Sequence, residues 1–599
     1  MCLLSSKQSP PFQLTIRKSN KPSPVNGCSP NTKVVVSKLA ANQYRDAWSE
    51  WDPNSQSLLE STPTDSENYE VFGESIPTYG IVGTFNVGGQ LWLCLLDQVA
   101  IAGHILNHTI YTPKVIRYVL LGDLVHTPML SVLDAQELDT YKDMLESGGF
   151  YFSYTYALWH HLQYISFNPP ASVPSPQETE RRRRYIWNSH INGNLPGAED
   201  TFLVNLVRGH VETSPLAQGL TMTIISRIDR NRAGTRFSVR GLNTLGEAAI
   251  SVESEVIIFS KDLVASHLQL RGSLPLLWSQ ETTKLAYKPP VIVYDADEEA
   301  TNLAVLRHFD AIQKWILPGP TEVLNLLRTS GDEDLLATAI EDRLSRLNIP
   351  QVNYHPIPLL WGSQSLDELL VRITDPLLEH GYFVGQRNQI SGDVSAVLRR
   401  QTGLFRINCM DCMDRTSIAQ FGLIRQILPD LMTSVSQFVP DAIFTLRQAW
   451  ANMANAVASY STGTGIVNEA IIRDGSRTQG YNWKDQMVCG ARYFLNNTHD
   501  HAKNFWLLRF LGLHPGPTTS PFPQPTVAAE HMQRWRSILG APPLYSSTSI
   551  STSYIESLEK EKLDFVNSQF LSNLLKIGLL SEYCLVNNLD SDQVLRQIP

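Results

Sequence analysis

The chain has 599 residues, more than one hydrophobic core usually holds, so its length predicts two or three domains. Hydrophobic residues make up 43% and charged residues 18% of the sequence, a globular balance that excludes disorder over most of the length. The formal net charge of −9 excludes a global basic field that would draw the protein to nucleic acid. An anionic partner must therefore be held by local basic patches.

The cysteines indicate a reducing compartment. Seven are present, an odd number scattered along the chain, which does not fit a disulfide framework. The first residues, MCLLSSKQSPPFQ, have too short an apolar run for a signal peptide. No stretch reaches the roughly 18 apolar residues that a membrane-spanning helix needs. We therefore expect a soluble protein in the cytoplasm, with no transmembrane segment.

The first third of the chain contains a polar segment, then a segment that predicts strands, then one that predicts helices. Residues 1–60 are rich in Ser, Pro, Asn and Gln, which is typical of a flexible leader. From Tyr79 onward, apolar stretches punctuated by glycines predict short strands. Apolar spacing of three and four residues then predicts helices over 136–165, and a loop is expected at 168–177. The basic run Arg181–Arg184 follows that loop.

From about residue 200, strand-like and helix-like segments alternate. TMTIISRI and PPVIVYD are rich in β-branched residues, whereas ATNLAVLRHFDAIQKWI and DEDLLATAIEDRLSRL have helical periodicity. This alternation favours an α/β domain with a mixed or partly parallel sheet. Residues 513–525 are expected to form a linker, and an amphipathic helix is predicted near residues 555–580.

The stretch RINCMDCMDRTS, residues 406–417, carries the chemistry of the chain. The preceding GLFRIN predicts a short strand, and the following TSIAQFGLIRQIL predicts a helix that ends at Pro429. The motif is therefore expected to be a loop between a strand's end and a helix's start. Backbone N–H groups are unpaired at a helix start and its dipole favours an anion there.

The side chains of this loop suit phosphoryl transfer. Cys409 is followed by five residues and then Arg415, whose charge, together with the helix dipole, should lower the pKa of a cysteine thiol. The guanidinium can hold two phosphate oxygens, and the hydroxyl of Thr416 can donate a hydrogen bond to the thiolate. A thiolate so placed is a nucleophile for transfer through a phosphocysteine.

Three other interpretations of the two cysteines fit the sequence less well. A zinc site needs four ligands, and no second Cys or His pair stands at a suitable spacing. A dithiol redox site would be expected in a small thioredoxin-like domain of its own. A structural pair of buried cysteines leaves Arg415, Asp411 and Asp414 unexplained.

FRINCMDCMDRTS resembles the catalytic signature of the Sac-domain phosphoinositide phosphatases. Further blocks resemble that family in the same order: YFSYTYALWHHLQ, RRYIWN, FLVNLVRGHVE, ISRIDRNRAGTRFSVRGLN, GSLPLLWSQ, YSTGTGIVNE and GARYFLNNTHDHAKNFWLLRFLG. The resemblance covers roughly residues 75–512. It implies a β-rich N-terminal subdomain (61–195) packed on an α/β catalytic domain (196–512), followed by a linker and tail (513–599).

The resemblance also implies a reaction and its residues. The implied substrate is a phosphate on the inositol ring of a phosphoinositide, most commonly phosphatidylinositol 4-phosphate. Cys409 would be the nucleophile, with Arg415 and Thr416 as the partners of the phosphate and the thiolate. No metal or other cofactor is required. The loop is also similar to that of the myotubularin phosphatases, which makes Asp414 the first choice and Asp411 the second for the acid that protonates the leaving oxygen. For either aspartate, the alternative is a hydrogen bond to backbone N–H groups that braces the loop.

Other residues were assigned to the lipid and its membrane. Asn408, Arg232 and Arg236 are expected to contact the substrate, with structural bracing as the alternative for the two arginines. The protein is expected to bind an anionic membrane peripherally. One hypothesis is that the run Arg181–Arg184 faces this membrane, although a solvated surface stretch is the more frequent explanation for such a run. Protein partners stay unassigned. For Cys412, two hypotheses remain, a regulatory disulfide with Cys409 or a small packing residue.

Two other functions compete with the active lipid phosphatase. The first is a catalytically weak lipid-binding or scaffolding protein on the same fold. The second is a protein phosphatase, which shares the chemistry but not the additional sequence blocks.

Overall fold

A computed structural model of the chain describes residues 12–18, 32–38, 48–52, 57–61, 75–120, 130, 132–168, 174–192, 203–281, 291–294, 297–359, 363–475, 479–498 and 500–513. The strands, in chain order, are β1 (Phe12–Lys18), β2 (Thr32–Lys38), β3 (Trp48–Asp52), β4 (Ser57–Ser61), β5 (Ser75–Thr78), β6 (Ile81–Val87), β7 (Gln90–Ile105), β8 (His108–Leu120), β9 (Phe150–Tyr151), β10 (Val207–Pro215), β11 (Thr221–Ile228), β12 (Val252–Phe259), β13 (Leu263–Ser273), β14 (Trp278–Glu281), β15 (Val291–Tyr294), β16 (Thr321–Asn325), β17 (Val352–Pro356), β18 (Phe383–Arg387), β19 (Val394–Arg399) and β20 (Leu404–Cys409).

The helices, in chain order, are α1 (Val132–Glu146), α2 (Leu162–Phe167), α3 (Pro176–Tyr185), α4 (Ser189–Asn192), α5 (Glu298–Ala311), α6 (Asp332–Leu347), α7 (Ser363–His380), α8 (Asp414–Val435), α9 (Ala442–Thr462), α10 (Glu469–Arg473), α11 (Gln479–Thr498) and α12 (Asp500–Phe510). Both kinds of element alternate through the second half of the described residues. The predicted mixed α/β class is therefore confirmed.

Two antiparallel sheets lie at the N-terminal end of the chain. β1 to β5 form a five-stranded sheet in the order β4-β3-β2-β1-β5, and β6 to β8 form a three-stranded sheet. Four strands of the first sheet fall within residues 12–61, where the sequence predicts a flexible leader, so that stretch has regular backbone pairing in the structure. The boundaries of the predicted domains stay a prediction.

A ten-stranded mixed sheet is the centre of the molecule. Its main path runs β17-β16-β20-β13-β12-β11-β10-β9, with β18 paired to β13 and β19 paired to β18. β9 belongs to the predicted N-terminal subdomain, so the sheet crosses the predicted boundary. Every residue of β12 is buried, which is expected of a strand that is covered on both faces.

Three parallel strands of this sheet end together. β20 runs parallel to both β16 and β13, with Asn408 opposite Asn325 and Cys409 opposite Ser273. Loops that follow the carboxyl ends of neighbouring parallel strands meet at one edge of a sheet, where open α/β sheets bind ligands. The cysteine loop, residues 409–415, begins at this edge.

The helix that follows the cysteine loop is longer than predicted. It begins at Asp414, two residues before the predicted segment TSIAQFGLIRQIL, and the prediction that Pro429 ends it is wrong, because α8 continues to Val435. A proline in a helix interior costs about 3 kcal/mol. Leu428, Leu431 and Met432 are all fully buried. Since each such side chain contributes roughly 1.5–3 kcal/mol on burial, packing of this last part of the helix offsets the proline.

The other predicted elements fall partly outside the described residues. TMTIISRI is β11, and PPVIVYD contains β15. The segments with helical periodicity after residue 297 are α5 and α6. The predicted linker after Leu513 and the amphipathic helix near 555–580 lie outside the described residues.

Candidate functional site

Cys409 is the last residue of β20, and its side chain is almost completely buried, with 2% exposed. Its sulfur accepts a hydrogen bond from the backbone N–H of Cys412, at 3.0 Å. The Cys412 thiol in turn donates to the Cys409 carbonyl, at 3.7 Å. Cys412 has a φ of +56°, in the left-handed region that non-glycine residues seldom adopt. This conformation accompanies a tight loop whose backbone N–H faces the sulfur.

The surroundings of Cys409 favour its thiolate. Burial alone raises the pKa of the thiol, but hydrogen bonding from Cys412 and the charge of Arg415 outweigh burial and lower the pKa to about 7. Burial raises the pKa of the Cys412 thiol well above its ordinary value. The loop therefore holds one cysteine that is readily ionised and one that stays protonated at neutral pH.

Arg415 lies in the first turn of α8 and is held by Glu333 of α6. Its Nη1 and Nη2 donate to the two oxygens of Glu333, at 2.8 and 2.7 Å, and Nη1 also donates to the Leu326 carbonyl, at 3.1 Å. Leu326 directly follows β16. Glu333 therefore links the segment that follows β16 to the cysteine loop. The sequence analysis missed this ion pair between Glu333 and Arg415.

Asp411 is held between two arginines. Arg236 Nη2 lies 2.5 Å from Asp411 Oδ2, and Arg240 Nη1 lies 2.6 Å from Oδ1. Burial raises the pKa of Asp411, but these two charges outweigh burial and hold the pKa well below its usual range. Asp411 is therefore ionised in this structure.

Arg240 is a second residue that the sequence analysis missed. Its side chain is 1% exposed; besides Asp411, it contacts the Met410 carbonyl, at 3.1 Å, and Gln280, at 2.8 Å. Arg232 donates to the backbone carbonyl of Arg240, at 2.6 Å, and its contact with the substrate stays a prediction. The signal was present in RNRAGTRFSVR, where Arg240 ends the same basic segment.

Asp414 is also paired with an arginine. Arg492 of α11 donates to both of its oxygens, at 2.7 and 2.9 Å, and the Val467 N–H donates to Oδ1, at 2.8 Å. Arg492 is buried and also contacts the Gly465 carbonyl. Asp414 thus connects the start of α8 with the loop after α9 and with α11.

Thr416 does not make the predicted contact with the Cys409 sulfur, whereas the contact of Asn408 with the substrate stays a prediction. Both are fully buried. Within the part of the chain that the structure describes, the Thr416 hydroxyl has no hydrogen-bond partner, so the expected bond to the Cys409 sulfur is absent and the Cys412 N–H takes that place. Asn408 Oδ1 accepts from Arg406, at 3.2 Å, while its Nδ2 has no partner among those same residues.

Two buried arginines lie beneath the loop. Arg271 of β13 donates to the Met413 carbonyl, and Arg406 of β20 donates to the carbonyls of Gly272 and Ser273. Burial lowers the pKa of each to about 10, so both remain cations at neutral pH. The electrostatic environment below Cys409 is therefore positive, which favours an anion at this edge of the sheet.

The run Arg181–Arg184 is not a basic surface that faces a membrane, and that prediction is wrong. Arg181 is fully buried and forms two hydrogen bonds with Glu253, at 2.9 and 3.1 Å. Arg184 is also buried and contacts Asp229, at 2.9 Å. The other two arginines pair with carboxylates as well, namely those of Glu178, Glu180 and Glu247. The run braces α3 against the strands of the large sheet.

Neither a membrane span nor a metal cluster is found in the described ranges. None of their helices has the length and apolar content needed to cross a bilayer. No group of three or more His, Cys, Asp or Glu side chains in those ranges is arranged to hold a metal ion.

Comparison with known proteins identifies the family to which the chain is similar. The family model described as the SacI homology domain matches residues 79–360. An uncharacterized protein of Schizosaccharomyces pombe is 30% identical over 456 residues, which cover 71% of this chain and 72% of that protein. Phosphatidylinositol-3-phosphatase SAC1-A of Danio rerio is 28% identical, over 74% of this chain and 77% of its own length.

A plant relative has similar coverage. Phosphoinositide phosphatase SAC8 of Arabidopsis thaliana is 28% identical, over 74% of this chain and 76% of its own length. The chain belongs to the SacI homology domain family, as the resemblance predicted. Relatives in this family are named as phosphoinositide phosphatases, which are phosphoric monoester hydrolases.

Proposed function

We propose that this protein is a phosphoinositide phosphatase that removes a phosphate from the inositol ring through a phosphocysteine intermediate. The observation that carries the proposal is the Cys409 sulfur, which accepts an N–H hydrogen bond at the end of β20 and has a pKa lowered to about 7. The Arg415 guanidinium beside it is a suitable phosphate ligand. Family membership supplies the substrate class, and phosphatidylinositol 4-phosphate is the first candidate within it.

In the first step, the Cys409 thiolate attacks phosphorus and the bond from phosphorus to the inositol oxygen breaks. That oxygen takes a proton from a carboxylic acid, for which Asp414 is the first candidate and Asp411 the second. In the second step, water attacks the phosphocysteine, gives a proton to the same carboxylate and releases inorganic phosphate. The thiolate is regenerated, so no metal or redox cofactor enters the balance.

The electrostatics of the loop support phosphate binding. The side chain of Arg236 is partly accessible, with 24% exposed, and we assign it to the phosphate or its inositol ring. Arg232 would act through the Arg240 backbone that it holds. Asn408 would act beneath the loop, where its buried Nδ2 is a donor without a partner among the described residues. Thr416 would donate its hydroxyl, which has no partner among the described residues, to the sulfur.

The test of this function is phosphate release from a panel of short-chain, soluble phosphoinositides, measured with malachite green. The panel includes the 3-phosphate and the 4-phosphate, because the Danio rerio relative is named for the 3-position. Release from any lipid, but not from phosphopeptides, supports the proposal. Binding to phosphoinositide vesicles without release supports the catalytically weak alternative, and release from phosphopeptides alone supports a protein phosphatase.

The pKa of Cys409 predicts a pH dependence that needs no substrate. Iodoacetamide reacts with the thiolate, so its rate with Cys409 should rise with pH and reach half its maximum near pH 7, the lowered pKa. Arg415→Ala should move this midpoint to higher pH, because the positive charge that favours the thiolate is lost. Peptide mass mapping of the labelled site measures the rate. A midpoint above about pH 8.5, the ordinary thiol value, contradicts the proposed thiolate.

We propose, as the regulatory hypothesis for Cys412, that its thiol protects Cys409 from oxidation; this thiol donates to the Cys409 carbonyl, at 3.7 Å. Peroxide would convert the Cys409 thiolate to a sulfenic acid, and the Cys412 thiol would then displace water to form a disulfide. Peroxide-treated protein should regain activity with dithiothreitol, whereas Cys412→Ala should not. Peptide mass mapping should find the linkage between the two cysteines. Equal recovery of both proteins, or the absence of that linkage, makes Cys412 a packing residue.

A further inference from the structure

The contact between Arg415 and Glu333 determines which edge of the guanidinium is available to a ligand. Nη1 uses both of its hydrogens, one on Glu333 and one on the Leu326 carbonyl, and Nη2 uses one of its two on Glu333. The remaining donors are the Nε hydrogen and the second Nη2 hydrogen, which make no hydrogen bond within the part of the chain that the structure describes. These two point from the same edge of the planar group, which is an edge suited to two-pronged phosphate binding.

Glu333 is itself held in place. Its Oε2 accepts from the backbone N–H of Arg328, at 2.9 Å, and its side chain is 18% exposed. Burial raises its pKa, but the hydrogen bonds and charge of Arg415 outweigh burial and lower it, so the carboxylate is ionised at neutral pH. A fixed, ionised carboxylate imposes one orientation on a guanidinium more strongly than water does.

We propose that Glu333 is a positioning residue, which grips one edge of Arg415 and presents the opposite edge, Nε and Nη2, to the phosphate. This inference rests on the proposed function, since it assigns Arg415 to the phosphate. The alternative is that Glu333 is a lock, which occupies Arg415 until substrate displaces it. The two alternatives predict opposite effects when the Glu333 charge is removed.

The experiment compares Glu333→Gln and Glu333→Ala with Glu341→Gln, a matched control at an exposed position of the same helix α6. A positioning residue predicts that Glu333→Ala lowers kcat/KM on the order of a hundredfold, the cost of misplacing a reacting group by about an ångström. Glu333→Gln keeps one acceptor oxygen and should lose less. Inhibition by orthovanadate should weaken in the same order, and the control should match wild type. Higher activity and tighter vanadate binding in Glu333→Gln would establish the lock and overturn the proposal.

A double-variant cycle separates positioning from a purely structural role. If Glu333 acts through Arg415, Glu333→Gln should cost much less on an Arg415→Lys background than in wild type, because the orientation it enforces is already lost. Equal costs on both backgrounds, or a lowered melting temperature that accounts for the lost activity, overturn the proposal. Failure of the proposed function is distinguishable from this result. In that case, the wild-type protein would itself release no phosphate from any phosphoinositide of the panel, whatever the effect of the Glu333 variants.

Discussion

Replacing Cys409 by serine should abolish phosphate release from phosphoinositides while leaving the fold intact. Serine fits the space at the end of β20 and still accepts the Cys412 N–H, but its hydroxyl is not ionised near pH 7, as the Cys409 thiol is. Without a thiolate there is no nucleophile to form the phosphoenzyme. Malachite green measures the loss, and thermal melting with binding to phosphoinositide vesicles verifies that the folded protein still recognises lipid.

Arg415→Lys should be nearly as damaging, although it keeps the positive charge. An ammonium is a point charge that cannot place two parallel N–H donors on a phosphate, nor bind both oxygens of Glu333 at once. The matched control for Cys409→Ser is Cys489→Ser, because Cys489 is an exposed free cysteine of α11. Retention of more than about a tenth of wild-type activity by Cys409→Ser or Arg415→Lys contradicts the cysteine mechanism.

The strand, loop and helix around Cys409 were predictable because their signals are local. A β-rich hexapeptide, a short polar segment and an amphipathic helix follow one another within residues 404–435, and β20 and α8 are found there. Cys409 and Arg415 are placed by these two elements. The predicted hydroxyl donor, Thr416, was not confirmed, because the turn at Cys412 brings a backbone N–H to the sulfur instead. A backbone donor of this kind leaves no mark in the sequence.

The ion pairs of the site were not predictable because their partners are distant in sequence. Asp411 pairs with arginines some 170 residues before it, and Arg415 with Glu333, 82 residues away. The sheet places segments that lie far apart in sequence at one edge, with crossovers of about a dozen residues or more between its parallel strands. The same limit misled the interpretation of Arg181–Arg184. A basic run is usually a solvated surface, and nothing near it in sequence shows that Arg181 will meet Glu253 of β12.

The two aspartates of the loop should respond differently when each is changed to asparagine. Asp414→Asn should slow hydrolysis of the lipid on the order of a hundredfold to ten-thousandfold, the usual contribution of a general acid. Hydrolysis of an aryl phosphate should suffer far less, because a phenolate needs little protonation to leave. A series of aryl phosphates sharpens the test: for Asp414→Asn, rate should fall steeply as the leaving group becomes more basic. Asp430→Asn, exposed on the same helix α8, is the matched control.

Asp411→Asn should instead slow both substrates to a similar extent. Asp411 anchors Arg236 and Arg240, and these charges hold its pKa well below the usual range. An ionised carboxylate has no proton to give, so it could act as the acid only if bound phosphate drew the arginines away from it. Its loss should release both arginines and loosen the loop, which harms every substrate. The opposite result would exchange the two roles. If the loss in Asp411→Asn depended on the leaving group, while Asp414→Asn lost equally on lipid and aryl phosphate, Asp411 would be the acid. Asp414 would then brace the loop through Arg492 and the Val467 N–H.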